Sequence, residues 1–120
     1  MISPDQIARN LVAFLQARRW PLSDEKALQA AIAAELAEAC FAAEREVRLS
    51  ATDVVDFMVE GVAVEIKIKG SKRNIYRQCA RYCSHERVRA LVLATNFKVG
   101  MPPERGAKPC YVADLGRGWL

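Results

Sequence analysis

The sequence predicts an α/β domain built on a mixed sheet flanked by helices, and three observations carry that prediction. Apolar residues recur at helical spacing in the first third, alternate with period two from Asp53 to Ile68, and return to helical spacing after Gly70. The run from Val88 to Ala94 is mostly apolar, as in a central strand covered on both faces. A helix between the third and fourth strands makes them parallel through a right-handed crossover, whereas the strands before it are close enough for an antiparallel meander.

Each element has its own justification. Ser3-Pro4-Asp5-Gln6 reads as a helix start, with Ser3 as cap, Pro4 at the first position and Gln6 completing a capping box. Ile7, Leu11, Phe14 and Leu15 follow at helical spacing, and Pro21 closes this additional N-terminal helix over 1–20. Ser23 caps a second helix to about Phe41, in which Leu28, Ile32, Leu36 and Cys40 repeat every fourth residue and alanine fills most of the rest.

Glu46 to Leu49 is a short strand. Along Asp53 to Val59, Val55, Phe57 and Val59 share one face and Asp56 and Met58 the other. Along Val62 to Ile68, Val62, Val64, Ile66 and Ile68 oppose Ala63, Glu65 and Lys67. Gly70-Ser71 breaks the sheet and opens a helix over Lys72 to Glu86. After the Val88 strand, Asn96 to Pro109 holds three prolines and two glycines and reads as a long loop, followed by a last strand from Tyr111 to Leu115. A length of 120 residues suits one domain over 1–120, and an apolar fraction of 52% argues for a real core.

Composition narrows the chemistry. One histidine, His85, excludes a His-rich zinc site and leaves a triad a single base. Lys and Arg number 18 against 14 acids, a net charge of +4 that permits a nucleic-acid partner without requiring one. Cys40, Cys79, Cys83 and Cys110 form no CxxC pair and read as buried thiols serving as small apolar residues, rather than a metal or cluster site. No long apolar run suggests a membrane span. The start, with Asp5 ahead of its apolar part and Arg18-Arg19 after it, reads against a secretory leader, so the expected location is cytoplasmic.

The informative segment is the hairpin from Asp53 to Lys69. A two-residue turn at Glu60-Gly61 sets Val59 against Val62, Met58 against Ala63, Phe57 against Val64 and Asp56 against Glu65. Two carboxylates directly opposite each other, about 5 Å apart at Cβ, are destabilising unless compensated. A hard divalent cation compensates them, since such ions take carboxylate oxygens. Lys67 rises from the same face. Two acids and a lysine on one strand face suit metal-assisted phosphodiester hydrolysis. On Glu65-Ile66-Lys67 alone, an ordinary solvated face is the better reading, because the tripeptide is common. The next helix shifts that balance, because Gln78 and Tyr82 lie four apart on one of its faces.

Asp56, Val64-Glu65-Ile66-Lys67 and Gln78-Cys79-Ala80-Arg81-Tyr82 together resemble the PD-(D/E)XK nuclease superfamily, and the Gln-x-x-x-Tyr element resembles its RecB-like branch. The resemblance covers about Glu25 to Thr95, where the predicted order matches the restriction-endonuclease-like αβββαβ core. It implies an Mg²⁺-dependent deoxyribonuclease, with Mn²⁺ as an alternative ion. Asp56, Glu65 and the carbonyl of Ile66 would hold the metal, and Lys67 would be the catalytic lysine. Gln78 and Tyr82 would position substrate or site side chains. Glu25 best matches a glutamate many members carry early in the first core helix, with Glu35 second. The Pro-Asp of the family's name is Val55-Asp56 here, and Asp53 is a rival to Asp56.

Lys69, Lys72, Arg73, Arg77 and Arg81 surround this segment. Arg73, Arg77 and Arg81 make a stripe spaced by four, which reads as a solvated face by itself and as a phosphate track beside a nuclease motif. His85 reads as a capping or surface residue, and Trp20 and Trp119 as a core edge or oligomer contact. The expected partner is DNA, with RNA and a second copy of the chain left open. The alternative to an enzyme is a non-catalytic nucleic-acid-binding module of the same fold, and a third class is an assembly protein with merely exposed acids.

Overall fold

The computed structural model describes residues 2–120. Helix α1 spans Pro4–Gln16 and buries Ile7, Leu11, Phe14 and Leu15. Ser3 Oγ accepts from the Gln6 N–H at 3.1 Å, as expected of the cap. Gln6 does not complete a capping box, because its amide donates instead to Asn10 Oδ1 one turn on, at 2.9 Å. Trp20 lies beyond the helix in the core, donating from Nε1 to the Leu15 carbonyl at 2.6 Å.

Helix α2 spans Glu25–Glu38 and is capped by Asp24 rather than Ser23. The Asp24 carboxylate accepts from the N–H groups of Lys26 and Ala27, both at 3.3 Å. A charged acceptor gains more than a hydroxyl at the positive end of a helix. The helix stops before Cys40, which has a left-handed backbone (φ 64) and is exposed, so Cys40 is not part of the buried stripe.

Strands β1 (Ala43–Arg48), β2 (Val54–Val59) and β3 (Val62–Lys67) form the meander. Helix α3 (Lys72–Cys83) crosses to β4 (Ala90–Thr95), which runs parallel to β3. The expected loop 96–109 holds a two-residue strand, β5 (Glu104–Arg105), and the start of β6 (Lys108–Asp114), which is also parallel to β4. The order across the sheet is β1-β2-β3-β4-β6-β5. The architecture is thus α/β with an open mixed sheet.

The β2–β3 register is Phe57↔Val64, Met58↔Ala63 and Val59↔Val62, as the Glu60-Gly61 turn requires. Both turn residues have positive φ, 48° at Glu60 and 87° at Gly61, the geometry of a type I′ hairpin turn. A Cβ at Gly61 would be strained by that φ and would also crowd Arg89 Cγ at 3.0 Å.

The core lies in two layers. Helices α1 and α2 cover Phe57, Val59, Val62, Val64, Ile66 and Val92 on one face. Helix α3 covers Met58, Ala63, Leu91 and Leu93 on the other, through Ile75, Cys79, Tyr82 and Cys83. Val55 departs from the expected alternation, packing in the α3 layer rather than with Phe57 and Val59. The β1–β2 ladder explains this. It pairs Arg45↔Phe57 and Val47↔Val55 but skips the step between them, where Glu46 is left-handed (φ 52) opposite Asp56. The strand rotates at Asp56.

Burying each of Leu28, Ile32 and Leu36 is worth about 1.5–3 kcal/mol, which seats α2 on the sheet. The C-terminal turn Arg117–Trp119 folds back, and Trp119 donates from Nε1 to the Trp20 carbonyl at 3.0 Å. Only glycine fits at 118, because a Cβ would lie 2.1 Å from the Arg18 carbonyl oxygen. Among the described residues, no helix is long and apolar enough to cross a membrane.

Glu60 holds a left-handed conformation that asparagine adopts at lower cost. Glu60→Asn is therefore expected to stabilise the protein by up to about 1 kcal/mol, read as a higher urea midpoint with an unchanged m value.

Candidate active site

The site begins where the hairpin ladder ends. Beyond Phe57↔Val64 the backbones no longer pair, and carboxylates take over the hydrogen bonding. Asp56 Oδ2 accepts from the Ile66 N–H at 2.8 Å, and Glu65 Oε1 accepts from the Asp56 N–H at 3.2 Å. Each acid is thereby stitched to the other's strand. In an extended strand the N–H and C=O of one residue point to the same edge, so the Ile66 carbonyl faces the gap that Asp56 occupies.

Two further groups reach Glu65 Oε2. Lys67 Nζ lies 3.5 Å away, and the Tyr82 hydroxyl of α3 lies 3.3 Å away. Tyr82 also donates to the Val54 carbonyl at 3.0 Å. One hydroxyl carries one proton, so it cannot donate to both. A protonated Glu65 resolves the conflict by donating to Tyr82 while Tyr82 donates to Val54.

Helix α2 supplies the opposite wall. Its first residue, Glu25, accepts from the Ile68 N–H at 3.3 Å and is near enough to Asp56 to disfavour its charge. Gln29, one turn on, approaches Asp56 Oδ1 at 3.4 Å. Glu35 lies away from these groups and pairs with Arg18 at 3.0 Å. Gln29 was legible in principle: Glu25 and Gln29 form a polar i, i+4 pair on a helix otherwise rich in alanine.

Burial and mutual repulsion govern the charges. Burial first, and the Asp56 charge second, push Glu65 up to about 8. Asp56 is raised by burial as well, against the Ile66 N–H that favours its ionised form. Burial and the neighbouring acids raise Tyr82. Lys67 offsets part of this repulsion and leaves room for a second positive charge.

The donor chemistry fits a hard divalent cation. Two carboxylates and a backbone carbonyl are oxygen ligands, and Mg²⁺ commonly takes one or two carboxylates and completes its shell with water and phosphate oxygens. Among the described residues, no group of three or more metal-ligating His, Cys, Asp or Glu side chains gathers.

Asp53 has a different environment from its rival. It is 5% exposed and paired with Arg81 Nε at 3.1 Å and His85 Nε2 at 3.0 Å. The His85 hydrogen bond, with Arg81 beside it, holds its carboxyl below the usual range despite burial. His85 is thus a partner of a buried acid, not merely a capping or surface residue. Arg81, one member of the expected stripe, is committed to the same acid.

Beside Lys67 opens a cavity of 450 Å³ walled by Lys69, Asn74, Arg77, Gln78 and Arg81. Lys72 and Arg73 are exposed in the first turn of α3, outside its wall. The fold therefore gathers Glu25, Asp56, Glu65, Ile66, Lys67 and Tyr82 at one end of the sheet, with Gln78, Lys69, Arg77 and Arg81 along the adjoining cavity.

No family model matches the chain, and no curated protein or solved structure matches it either.

Two outcomes follow from this geometry. Without metal, the folded state keeps a proton on Glu65 that the unfolded chain releases between pH 4.5 and about 8, so stability falls as pH rises through that window. Thermal unfolding should show that decline, Glu65→Gln should flatten it, and Mn²⁺ should raise the midpoint more at pH 8 than at pH 6. Asp53→Asn should lower the midpoint while leaving Mn²⁺ affinity within about twofold by calorimetry, whereas Asp56→Asn should weaken Mn²⁺ binding at least about tenfold.

Proposed function

We propose that this protein is an Mg²⁺-dependent nuclease of the PD-(D/E)XK type that hydrolyses DNA phosphodiester bonds. The observation that carries the reading is the cross-stitched pair of acids, buried Glu65 and half-buried Asp56, with Lys67 on Glu65 and a basic cavity alongside. The element order α2-β1-β2-β3-α3-β4 supports a restriction-endonuclease-like core. In that reading α1 and the β5–β6 lip are additions to it.

Asp56, Glu65 and the Ile66 carbonyl would hold the metal, with Gln29 hydrogen-bonded to Asp56 from α2 and Glu25 beside them on the Ile68 N–H. A bound Mg²⁺ supplies Lewis acidity toward the phosphate and acidifies a water. Lys67, half-buried at the mouth of the cavity, orients the attacking water and places a positive charge where the pentavalent phosphate gains negative charge. Tyr82 holds Glu65 against β2, and Gln78 faces the substrate side. Lys69 and Arg77 receive flanking phosphates, a contact that confers salt-sensitive affinity without reading sequence, while Arg81 stays with Asp53. With so little surface for base readout, the enzyme selects DNA by its structure or through a partner.

Glu65→Ala and Lys67→Ala should each slow Mg²⁺-dependent cleavage of supercoiled plasmid and of forked DNA by at least about 100-fold. Arg77→Ala should instead weaken binding and reduce the salt slope by about 0.9. Salt-dependent DNA binding with no cleavage in any metal, unchanged by Glu65→Ala, would show a binding module in place of an enzyme.

A further inference from the structure

Thr95 ends β4 with Lys67 beside it on β3 and Asp114 beside it on β6. Among the described residues, its hydroxyl is the only buried side-chain polar atom without a hydrogen-bond partner, in a residue 1% exposed. Such an orphan costs about 1–3 kcal/mol, and valine would fill the same space without it. By strand alternation with Leu91 and Leu93, Thr95 belongs to the α3 face, the face of Glu65 and Lys67.

Thr95 itself lines no cavity, but its neighbours Asn96 in the chain and Asp114 on β6 line a second one, also of 450 Å³, within the size range of small-ligand pockets. Its walls include Asn96, Phe97, Lys98, Gly100, Val112 and Asp114. A side chain at Gly100 would come within 3.7 Å of the Tyr76 hydroxyl, so the loop passes against α3 there. Phe97 offers an aromatic face, Asn96 an amide that both donates and accepts, and Asp114 a carboxylate. Asp114 Oδ1 accepts from the Gly116 N–H at 2.9 Å, a bond that does not use Oδ2.

An aromatic face, an amide and a carboxylate in one slot suit a flat heteroaromatic ring with an N–H donor. Lys98 in the same wall offsets the Asp114 charge, so the slot has no net positive charge with which to hold a phosphate by itself. We infer that this pocket binds an unpaired nucleobase bearing an exocyclic amino group. The ring stacks on Phe97 and the amino group donates to Asp114. Asp114 stands two strand spacings from Lys67, about 10 Å, so the base belongs to a nucleotide near the one whose phosphate is cleaved. That last role rests on the nuclease reading, whereas the binding itself does not.

The test follows backbone amide shifts by NMR on the full chain during titration with deoxycytidine monophosphate, thymidine monophosphate and deoxyribose phosphate. Saturable shifts at Asn96 to Gly100 and Asp114 are expected with the cytidine nucleotide, at least about threefold weaker with thymidine, and absent with deoxyribose phosphate. Phe97→Ala should remove them, Glu65→Ala should keep them, and Asp114→Asn should narrow the cytidine preference. An equal response to deoxyribose phosphate, or none to any probe, overturns the pocket. DNA cleavage with no such shifts removes the pocket and leaves the nuclease reading standing. Shifts as described in a protein that cleaves no DNA remove the nuclease reading and leave the pocket.

Discussion

Everything at the candidate site depends on the reciprocal bonds between Asp56 and Glu65. Where the β2–β3 ladder stops, each carboxylate takes a backbone N–H that a regular sheet would give to a carbonyl. These bonds let two acids sit together in a partly buried place, because each oxygen so used is satisfied. They do not neutralise the charge. The strain that remains appears as the raised Glu65 and Asp56, and it makes the pair receptive to a proton or a cation.

The surrounding elements exist in the arrangement that keeps this pair apart from bulk water and near useful neighbours. Helix α2, seated by Leu28, Ile32 and Leu36, brings its N-terminus with Glu25 and Gln29 to one side. Helix α3, seated by Ile75, Cys79 and Cys83, brings Tyr82 to the other. The Asp53–Arg81–His85 cluster fastens the far turn of α3 to the approach of β2, so Tyr82 is held from both directions. Stability and site geometry are therefore coupled through the same few contacts.

The hairpin shows why some of this was legible. Glu60-Gly61 and the alternation on both strands specify one register, since a one-residue slip would exchange the faces of every side chain and break the packing of both layers. That register alone brings Asp56 opposite Glu65 and places Lys67 on the same face. Helix caps were less legible: Ser23 and Asp24 both carry an acceptor, and it is the Asp24 carboxylate that meets the Lys26 and Ala27 N–H groups. Val55 misled for a related reason: strict alternation holds only while the ladder is regular, and the left-handed Glu46 breaks it.

The sequence by itself determined the α/β class, the main elements and the residues Asp56, Glu65, Lys67, Gln78 and Tyr82 as a set worth watching, because periodicity and short-range register are local properties. It could not determine that Asp53 belongs to His85 and Arg81, that Gln29 reaches Asp56, or that Thr95 stands unsatisfied between Lys67 and Asp114. Those facts arise between residues far apart in the chain. The crossover of α3 and the parallel return of β6 decide them, since only the assembled sheet edge sets which side chains share a face.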